Sequence, residues 1–381
     1  MSRRTSGSPL LRVAGAWVAS RLALMFLVVL GSGLLGVDAA RRSAAGGSWV
    51  LDRFTYWDSF HFTRIAERGY LPPGLPCCDQ AFFPGYPLVI RVLSPVTGGN
   101  EMLAGILISL AASTAAAMAL WQLALAQGLD ARRAATAVAV LAVAPYGIFL
   151  SAVYSESLFL AVTVAAWWAA QTRRWWWAGA LAAAATAVRV NGMFLVAALA
   201  VMYLVQLRED RQRRLRPDVL ALALPFVVLG AYFGYLFART GTWNAWQVAQ
   251  DTGWARRTAW PWTGLQAGWE AIQVAPTTDL LVSRWADLLS VVGGLVLIGV
   301  LLWLRRWAEA TYIALSVGVL VCSTMLTSAP RYALMWFPAY LLLARLVHRP
   351  GWGWLRIAVP AICLPLMAVL ALTFSARLWV S

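Results

Sequence analysis

The sequence contains no lysine and little charge of any kind. Charged residues make up only 12% of the 381 positions, whereas 61% are hydrophobic and 22 are Trp. A soluble domain carries about 25% charged residues, so this composition excludes the soluble globular class. It predicts an integral membrane protein.

The basic residues are all Arg and outnumber the acidic residues. There are 31 basic and 16 acidic residues, which give a net charge of +15. Arg at the ends of membrane helices sets topology and needs no polyanionic partner, so we expect no nucleic acid partner. The Arg-only, Ala-rich usage is typical of a GC-rich bacterial genome.

Cysteine is sparse and has no metal-ligand spacing. The four cysteines are Cys77, Cys78, Cys322 and Cys363, and no CxxC pair occurs. Zinc is therefore not expected, and neither is any other metal or cofactor. For the adjacent Cys77 and Cys78 we favour two unpaired thiols. The alternatives are a vicinal disulfide and a bridge to another chain.

Apolar stretches bounded by charge predict an all-α, polytopic membrane protein with about eleven transmembrane helices. A spanning helix needs about 20 mostly apolar residues. The first stretch is too long for a secretory signal and is interpreted as a retained anchor. We expect one integral domain over residues 1–381. The predicted spans are 13–36, 102–127, 134–152, 155–171, 175–189, 191–207, 218–238, 287–304, 309–328, 331–346 and 356–376.

The distribution of Arg predicts a cell-membrane protein with a cytoplasmic N-terminus. In that orientation the inner loops hold many more Arg than acidic residues, which satisfies the positive-inside rule. The two long polar segments, 38–101 and 239–286, then lie outside. The short polar connections that follow the third, fifth and ninth spans lie outside as well. We therefore predict a functional site at the outer face of the bilayer.

The first outer loop contains a candidate catalytic acid. Apolar residues from Phe54 to Ala66 recur at near-helical spacing, which predicts an amphipathic helix in the membrane interface, ended by Gly69. On that helix Asp58 and His61 share a face. Asp58 is a candidate functional acid or a solvated surface residue. His61 orients Asp58, or is simply a packed histidine.

Further polar groups are predicted at membrane depth. Glu156, Arg189 and Asn191 lie at the outer ends of three spans, where polar groups are costly unless they are paired or functional. A mutual Glu156–Arg189 salt bridge is the structural alternative. Arg331, followed by Tyr332, is placed to bind a lipid phosphate, or it snorkels to the interface.

The second outer segment combines aromatic residues with Gln and Arg. Between Trp243 and Trp262 it includes Gln247 and Arg256, which suit a sugar or a polyprenyl phosphate. An aromatic belt at the interface is the alternative.

Several short motifs together resemble one family. The motifs occur in a fixed order and spread over most of the chain, and all fall on the predicted outer face. With them the chain resembles the GPI mannosyltransferase II (PIG-V) family and its bacterial relatives, within the GT-C superfamily of membrane glycosyltransferases. The motifs are Trp57–Phe62 with Ile65–Ala66 and Gly69–Tyr70, Phe82–Pro84, Tyr154–Phe159, Arg189–Gly192, and Arg331–Tyr332 with Pro338.

The resemblance implies a GT-C-like fold with interfacial helices in the first outer loop. It also implies inverting transfer of a sugar, typically mannose, from a polyprenyl-phosphate donor to a glycolipid or glycan acceptor. The catalytic base would be an acid of that loop, which by position is Asp58. Val190 stands where the eukaryotic pattern has Ser. The expected substrate-binding residues are His61, Glu156, Arg189, Asn191, Gln247, Arg256, Arg331 and Tyr332.

The chemistry of these residue types agrees with that expectation. One carboxylate suffices to deprotonate a sugar hydroxyl for a single displacement. A phosphate leaving group is already anionic and needs positive charge rather than a general acid. For that charge Arg331 is the first choice, with Arg189 or Arg256 second.

Three alternatives keep the same topology. A transporter or flippase for a lipid-linked sugar should show inverted repeats and charges near mid-membrane, and the sequence has no clear repeat. A GT-C transferase could use another polyprenyl-phosphate sugar, such as arabinose or glucose. A non-catalytic subunit would tolerate the loss of Asp58.

Overall fold

The computed structural model describes residues 9–34, 48–70, 78–209 and 216–380. Within these ranges the regular secondary structure is helical, with turns and loops between the helices and one isolated bridge between Thr258 and Ser323, so the predicted all-α class is confirmed. The helices are α1 Pro9–Leu34, α2 Asp58–Arg68, α3 Gly85–Leu93, α4 Glu101–Ala126, α5 Ala131–Ala142, α6 Glu156–Gln171, α7 Trp175–Val188, α8 Gly192–Glu209, α9 Leu224–Thr240, α10 Ala245–Trp254, α11 Pro261–Gln273, α12 Thr278–Trp303, α13 Trp307–Val321, α14 Ala329–Leu334, α15 Phe337–Val347 and α16 Leu355–Ser375.

Every predicted span overlaps a helix, and the chain is a multi-pass membrane protein. Six helical segments of the described chain are long and apolar enough to cross a bilayer: Pro9–Leu34, Glu101–Ala126, Gly192–Glu209, Pro217–Thr240, Thr278–Trp303 and Leu355–Ser375. The other five predicted spans correspond to α5, α6, α7, α13 and α15, which have 11 to 16 residues. A helix of that length is shorter than the hydrocarbon core, so the count of eleven spans stays a prediction.

The third and tenth predicted spans are broken helices. The third was predicted to run to residue 152, but α5 ends at Ala142 and the chain continues as a 3-10 turn, Gly147–Leu150. Pro145 disfavours helical geometry at the residue before it and has no N–H to donate. The tenth span divides into α14 and α15, because Pro338 fits the first turn of a new helix.

Arg21 stabilises the break after α5. Its side chain is buried in α1, and its guanidinium donates from Nη1 to the Gly147 carbonyl at 3.1 Å and from Nη2 to the Ala142 carbonyl. Ala142 is the last residue of α5, where helical hydrogen bonding stops, and Gly147 is the first residue of the 3-10 turn. A cation is also favoured at the C-terminus of a helix.

We expect Arg21→Met to lower the free energy of unfolding by about 1–3 kcal/mol, since it leaves buried carbonyls without a donor. Arg12→Met, at an exposed position of the same helix, is the matched control and should change nothing. The measurement is thermal unfolding of both purified variants in one detergent. Equal midpoints for the two variants would contradict the assigned role of Arg21.

The segment predicted to be the first outer loop, 38–101, folds largely as its pattern predicts where the structure describes it. The amphipathic helix is α2, and Gly69 ends it with a φ of 78°, in the left-handed region that favours glycine. In this loop Cys78 is disulfide-bonded, so the expected unpaired thiol at this position is wrong. The expectation for Cys77 lies outside the described residues.

Candidate active site

Four charged side chains from four segments form a compact cluster at one end of the bundle. Arg331 lies at its centre, with Nη1 2.9 Å from Asp58 Oδ2 and Nε 2.8 Å from Glu156 Oε1. Arg189 Nη1 lies 3.0 Å from the same Glu156 oxygen. The predicted Glu156–Arg189 salt bridge is thus confirmed, but it is one part of a network in which two acids balance two arginines.

The centre of the cluster is shielded from solvent. The Glu156 side chain is 0% exposed and that of Arg331 is 10% exposed. The Arg331 guanidinium carbon lies 4.8 Å from the centre of the Tyr154 ring. The Tyr154 hydroxyl donates to the Tyr56 carbonyl at 2.9 Å, which fixes the ring. Charge–charge interactions are stronger in such surroundings than in water, so the cluster holds its groups in fixed positions.

Asp58 lies at the first residue of α2, next to a strained backbone position. Trp57 precedes it with φ 58° and ψ −115°, a conformation that is unusual for a residue other than glycine. The Trp57 ring packs edge-on against Trp379 with centroids 5.0 Å apart, which contributes to holding this conformation. Strained backbone of this kind concentrates at functional sites. The Asp58 side chain remains 21% exposed.

Close glycine contacts fix the turn that carries Arg189 and Asn191. A side chain on Gly85 of α3 would approach the Ala187 carbonyl carbon to 2.7 Å, so only glycine lets α3 pack against the end of α7. A Cβ on Gly192 would lie 2.3 Å from the Thr186 backbone nitrogen. Gly192 therefore allows α7 and α8 to meet tightly, with Arg189 and Asn191 at their junction, and Gly85 allows α3 to pack against the end of α7.

A cavity of about 180 Å³ opens beside the charged cluster. Its lining includes six of the nine site residues predicted from the sequence, namely Asp58, Arg189, Asn191, Arg256, Arg331 and Tyr332. Glu156 lies behind Arg331 and is fully buried. Four separate parts of the sequence are thus brought to one cavity, as the topology predicted.

Two predicted residues lie elsewhere. Gln247 is exposed and does not line the cavity, whereas Gln250 does, together with Trp246 and Trp254. These three are spaced four residues apart on α10, so they share the face that turns inward, and Gln247 does not. The expected role of Gln247 in binding is not supported by its position.

His61 pairs with Asp79 rather than with Asp58. Its Nδ1 lies 2.7 Å from Asp79 Oδ1, and Arg64 Nε donates to the other oxygen at 2.9 Å. Burial alone would raise the pKa of Asp79, but the hydrogen bonds from His61 and Arg64 outweigh burial and hold that pKa below its usual value. The expectation that His61 orients Asp58 is wrong, because the Asp58 carboxylate turns to Arg331.

His61 nonetheless contacts a wall of the cavity. Its ring stacks on Phe82 with centroids 4.4 Å apart, and Phe82 lines the cavity. His61 itself is outside the lining, so its position does not support the predicted direct contact with substrate.

Arg256 has no acidic partner in the described part of the chain. Its Nη2 donates weakly to the Thr327 carbonyl at 3.4 Å, and its buried Nε has no hydrogen-bond partner there. The adjacent Arg257 instead pairs with Asp251 away from the cavity, with Nε 2.6 Å from Oδ1. Arg256 is therefore the guanidinium of the cavity whose charge is not compensated by a carboxylate.

Sequence reasoning missed several cavity residues. Ser155 accepts a hydrogen bond from Arg189 at 3.0 Å, and Trp379 reaches the cavity from beyond the last helix. Gln250 belongs to the segment predicted to suit a sugar or a polyprenyl phosphate, and the helical phase of α10 could have favoured it over Gln247, but no local pattern indicated Trp379. The described residues contain no group of three or more His, Cys, Asp or Glu that could hold a metal ion.

Several known proteins are similar to part of this chain. GPI alpha-1,6-mannosyltransferase 2 of Homo sapiens is 35% identical over 159 residues, which cover 39% of this chain and 31% of that protein. The protein of the same name from Mus musculus is 32% identical over 153 residues, 38% of this chain and 30% of that protein. GPI mannosyltransferase 2 of Chaetomium globosum is 30% identical over 175 residues, 38% of this chain and 36% of that protein. The matched region spans about a third of each relative.

A solved structure shows a weaker likeness. The archaeal oligosaccharyltransferase AglB from Archaeoglobus fulgidus, in complex with an inhibitory peptide and a dolichol-phosphate, covers 94% of this chain and 55% of its own chain. The TM-score is 0.38 at 11% sequence identity, which does not establish a shared fold.

The family model described as Mannosyltransferase (PIG-V) matches residues 43–248, more than half of the sequence. This range contains Asp58, Glu156, Arg189 and Asn191, four of the residues that form or adjoin the cavity. The chain therefore belongs to the PIG-V mannosyltransferase family.

Proposed function

We propose that the protein is an inverting glycosyltransferase that moves mannose from a polyprenyl-phosphate donor to a lipid-linked or glycan acceptor. The family description and the names of the relatives support a mannosyltransferase. The observation that carries the proposal is the composition of the cavity, in which a partly exposed carboxylate, Asp58, and the uncompensated Arg256 line the same space.

In the proposed reaction Asp58 is the general base. It accepts the proton of the acceptor hydroxyl while that oxygen bonds to the anomeric carbon of mannose. The bond from that carbon to the phosphate oxygen breaks on the opposite face, which inverts the configuration and releases polyprenyl phosphate. A positioned carboxylate contributes about 10²–10⁴-fold to such a proton transfer. Arg331 holds the carboxylate in place through its 2.9 Å contact.

Arg256 is proposed to bind the donor phosphate. The sequence favoured Arg331, but the charge of Arg331 is balanced by Asp58 and Glu156. The donor phosphate gains more binding free energy from a guanidinium that has no carboxylate partner. Arg256 has no such partner among the described residues. Arg331 is therefore assigned to positioning and Arg256 to the leaving group.

The cavity is proposed to face the outside of the cell membrane. The excess of Arg in the loops at the other end of the bundle supports this orientation through the positive-inside rule. A site on that face is separated from cytosolic nucleotide sugars, which supports a lipid-carried donor.

The test is transfer of radiolabelled mannose from synthetic polyprenyl-phosphate mannose to a membrane lipid extract by purified, folded protein. Label in a lipid product supports the proposal. No transfer with polyprenyl-phosphate mannose, glucose or arabinose would overturn it. Movement of labelled donor across proteoliposome membranes without any product would support the flippase instead.

We expect Arg256→Gln to raise the apparent KM for the donor by about tenfold or more, because a charge-assisted contact to the phosphate is lost. Arg257→Gln is the matched control, since the neighbouring arginine pairs with Asp251 and does not line the cavity. Initial rates at varied donor concentration give the comparison. A normal KM in Arg256→Gln would exclude Arg256 as the phosphate ligand.

A further inference from the structure

A second, larger groove opens at the opposite end of the bundle from Asp58. It has a volume of about 1050 Å³ and lies between α12 and α15. Its deep end is lined by Ser290, Ala333 and Trp336, and its mouth by Arg305 and Arg349. Pockets for small molecules measure about 300–1,000 Å³, so the groove is large enough for an extended ligand.

The walls of the groove are apolar and remain uncovered. Helix α12 packs on α13 and α14, but α12 and α15 are not among the helix pairs that pack closely. The gap between them is lined by Val296 and Val300 on one side and Leu343 and Leu346 on the other. Val296 is 62% exposed and lies within a helix apolar enough to span a bilayer, so this wall is open to the hydrocarbon of the membrane. Such a surface suits hydrocarbon chains.

The mouth of the groove is positively charged. Its charged lining residues are Glu209, Arg305, Arg306, Glu309, Arg345 and Arg349. Arg306 forms a salt bridge with Glu309, with Nη2 2.6 Å from Oε1. Arg345 donates only to a side chain and a backbone carbonyl of Gln127, and its buried Nε has no partner among the described residues.

The mouth also lies at the level expected for lipid headgroups. Trp303 and Trp307, which line it, are 79% and 49% exposed and flank Arg305 and Arg306 at the end of a spanning helix. Exposed Trp beside Arg is typical of the boundary between hydrocarbon and headgroups.

We propose that this groove binds an anionic phospholipid of the leaflet opposite the active site. The acyl chains lie between α12 and α15, and the phosphate contacts Arg345 and Arg349. Charge selects the occupant, because an apolar groove alone would accept any lipid, whereas a net positive mouth favours an anionic headgroup. The site does not depend on the proposed transferase activity, since the donor phosphate is assigned to Arg256 at the other end of the bundle.

The first test compares two lipids and three proteins by native mass spectrometry. Purified wild type is mixed with synthetic phosphatidylglycerol or phosphatidylcholine. Wild type should retain phosphatidylglycerol preferentially, and Arg345→Gln/Arg349→Gln should lower its retention by about tenfold. Arg132→Gln, an exposed arginine at the same end but outside the groove, is the control and should bind as wild type does.

The second test fills the groove without changing its charge. A Cβ at Gly293 meets no atom within 4 Å, and the same is true of Gly299 on the same helix, which does not line the groove. Gly293→Phe should abolish retention of phosphatidylglycerol, while Gly299→Phe should leave it intact. Equal retention in Gly293→Phe and Gly299→Phe, or equal retention of the two lipids by wild type, would overturn the proposal.

Discussion

Replacing Asp58 with Asn is expected to lower kcat for mannose transfer by about 10²–10⁴-fold and to leave donor binding intact. Asn has nearly the same shape as Asp and can still accept a hydrogen bond from Arg331. It cannot take the proton of the acceptor hydroxyl. The defect should therefore appear in the chemical step rather than in assembly of the cavity.

Asp58→Asn also changes the charge balance of the cluster. In wild type the cluster contains two acids and two arginines. Asp58→Asn leaves one unit of positive charge uncompensated beside the cavity, which favours an anionic donor. We therefore expect the affinity for polyprenyl-phosphate mannose to stay the same or to increase while turnover falls.

Asp251→Asn is the matched control for Asp58→Asn. Asp251 belongs to the same end of the protein and also pairs with an arginine, Arg257, but it does not line the cavity. Radiolabel transfer under single-turnover conditions, with donor binding measured separately, distinguishes the two steps. Turnover in Asp58→Asn close to that of Asp251→Asn would refute the assignment of the base and favour a non-catalytic role.

Local sequence patterns predicted much of this architecture because helices and their ends are locally encoded. Apolar runs gave a helix at each predicted span, and α2 ends at Gly69 as its spacing indicated. Alternation of the spans predicted that Asp58, Glu156 and Arg331 share one end of the bundle. That inference depends only on whether an even or an odd number of membrane crossings separates two residues. It does not depend on how far apart the residues are along the chain.

The pairing of side chains could not be predicted in the same way. His61 is one helical turn from Asp58, yet it pairs with Asp79 from a separate 3-10 turn. That choice depends on how the loop folds back, for which the sequence contains no periodic signal. The breaks in the third and tenth predicted spans are easier to recognise in the sequence. Pro145 disfavours a continuing helix, and Pro338 suits the first turn of a new one.

Arg331→Met is expected to destabilise the protein and to abolish transfer. Removing one partner of a buried ion pair leaves Glu156 without its strongest contacts, at a cost of about 3–5 kcal/mol in the free energy of unfolding. Asp58 also loses the group that positions it. Arg257→Met, which removes an exposed arginine from its pair, should leave thermal unfolding in detergent unchanged.

A second substitution separates the structural role of Arg331 from its role in positioning Asp58. In Glu156→Gln/Arg331→Met the buried carboxylate is neutralised together with its partner, and Asp58 and Arg189 still balance in charge. We expect this double variant to recover much of the stability lost in Arg331→Met, because replacing both partners of a buried pair is far less costly than removing one. Transfer should remain absent, since nothing holds the Asp58 carboxylate toward the acceptor. If activity returned together with stability, Arg331 would be a structural residue only and the proposed positioning of the base would be wrong.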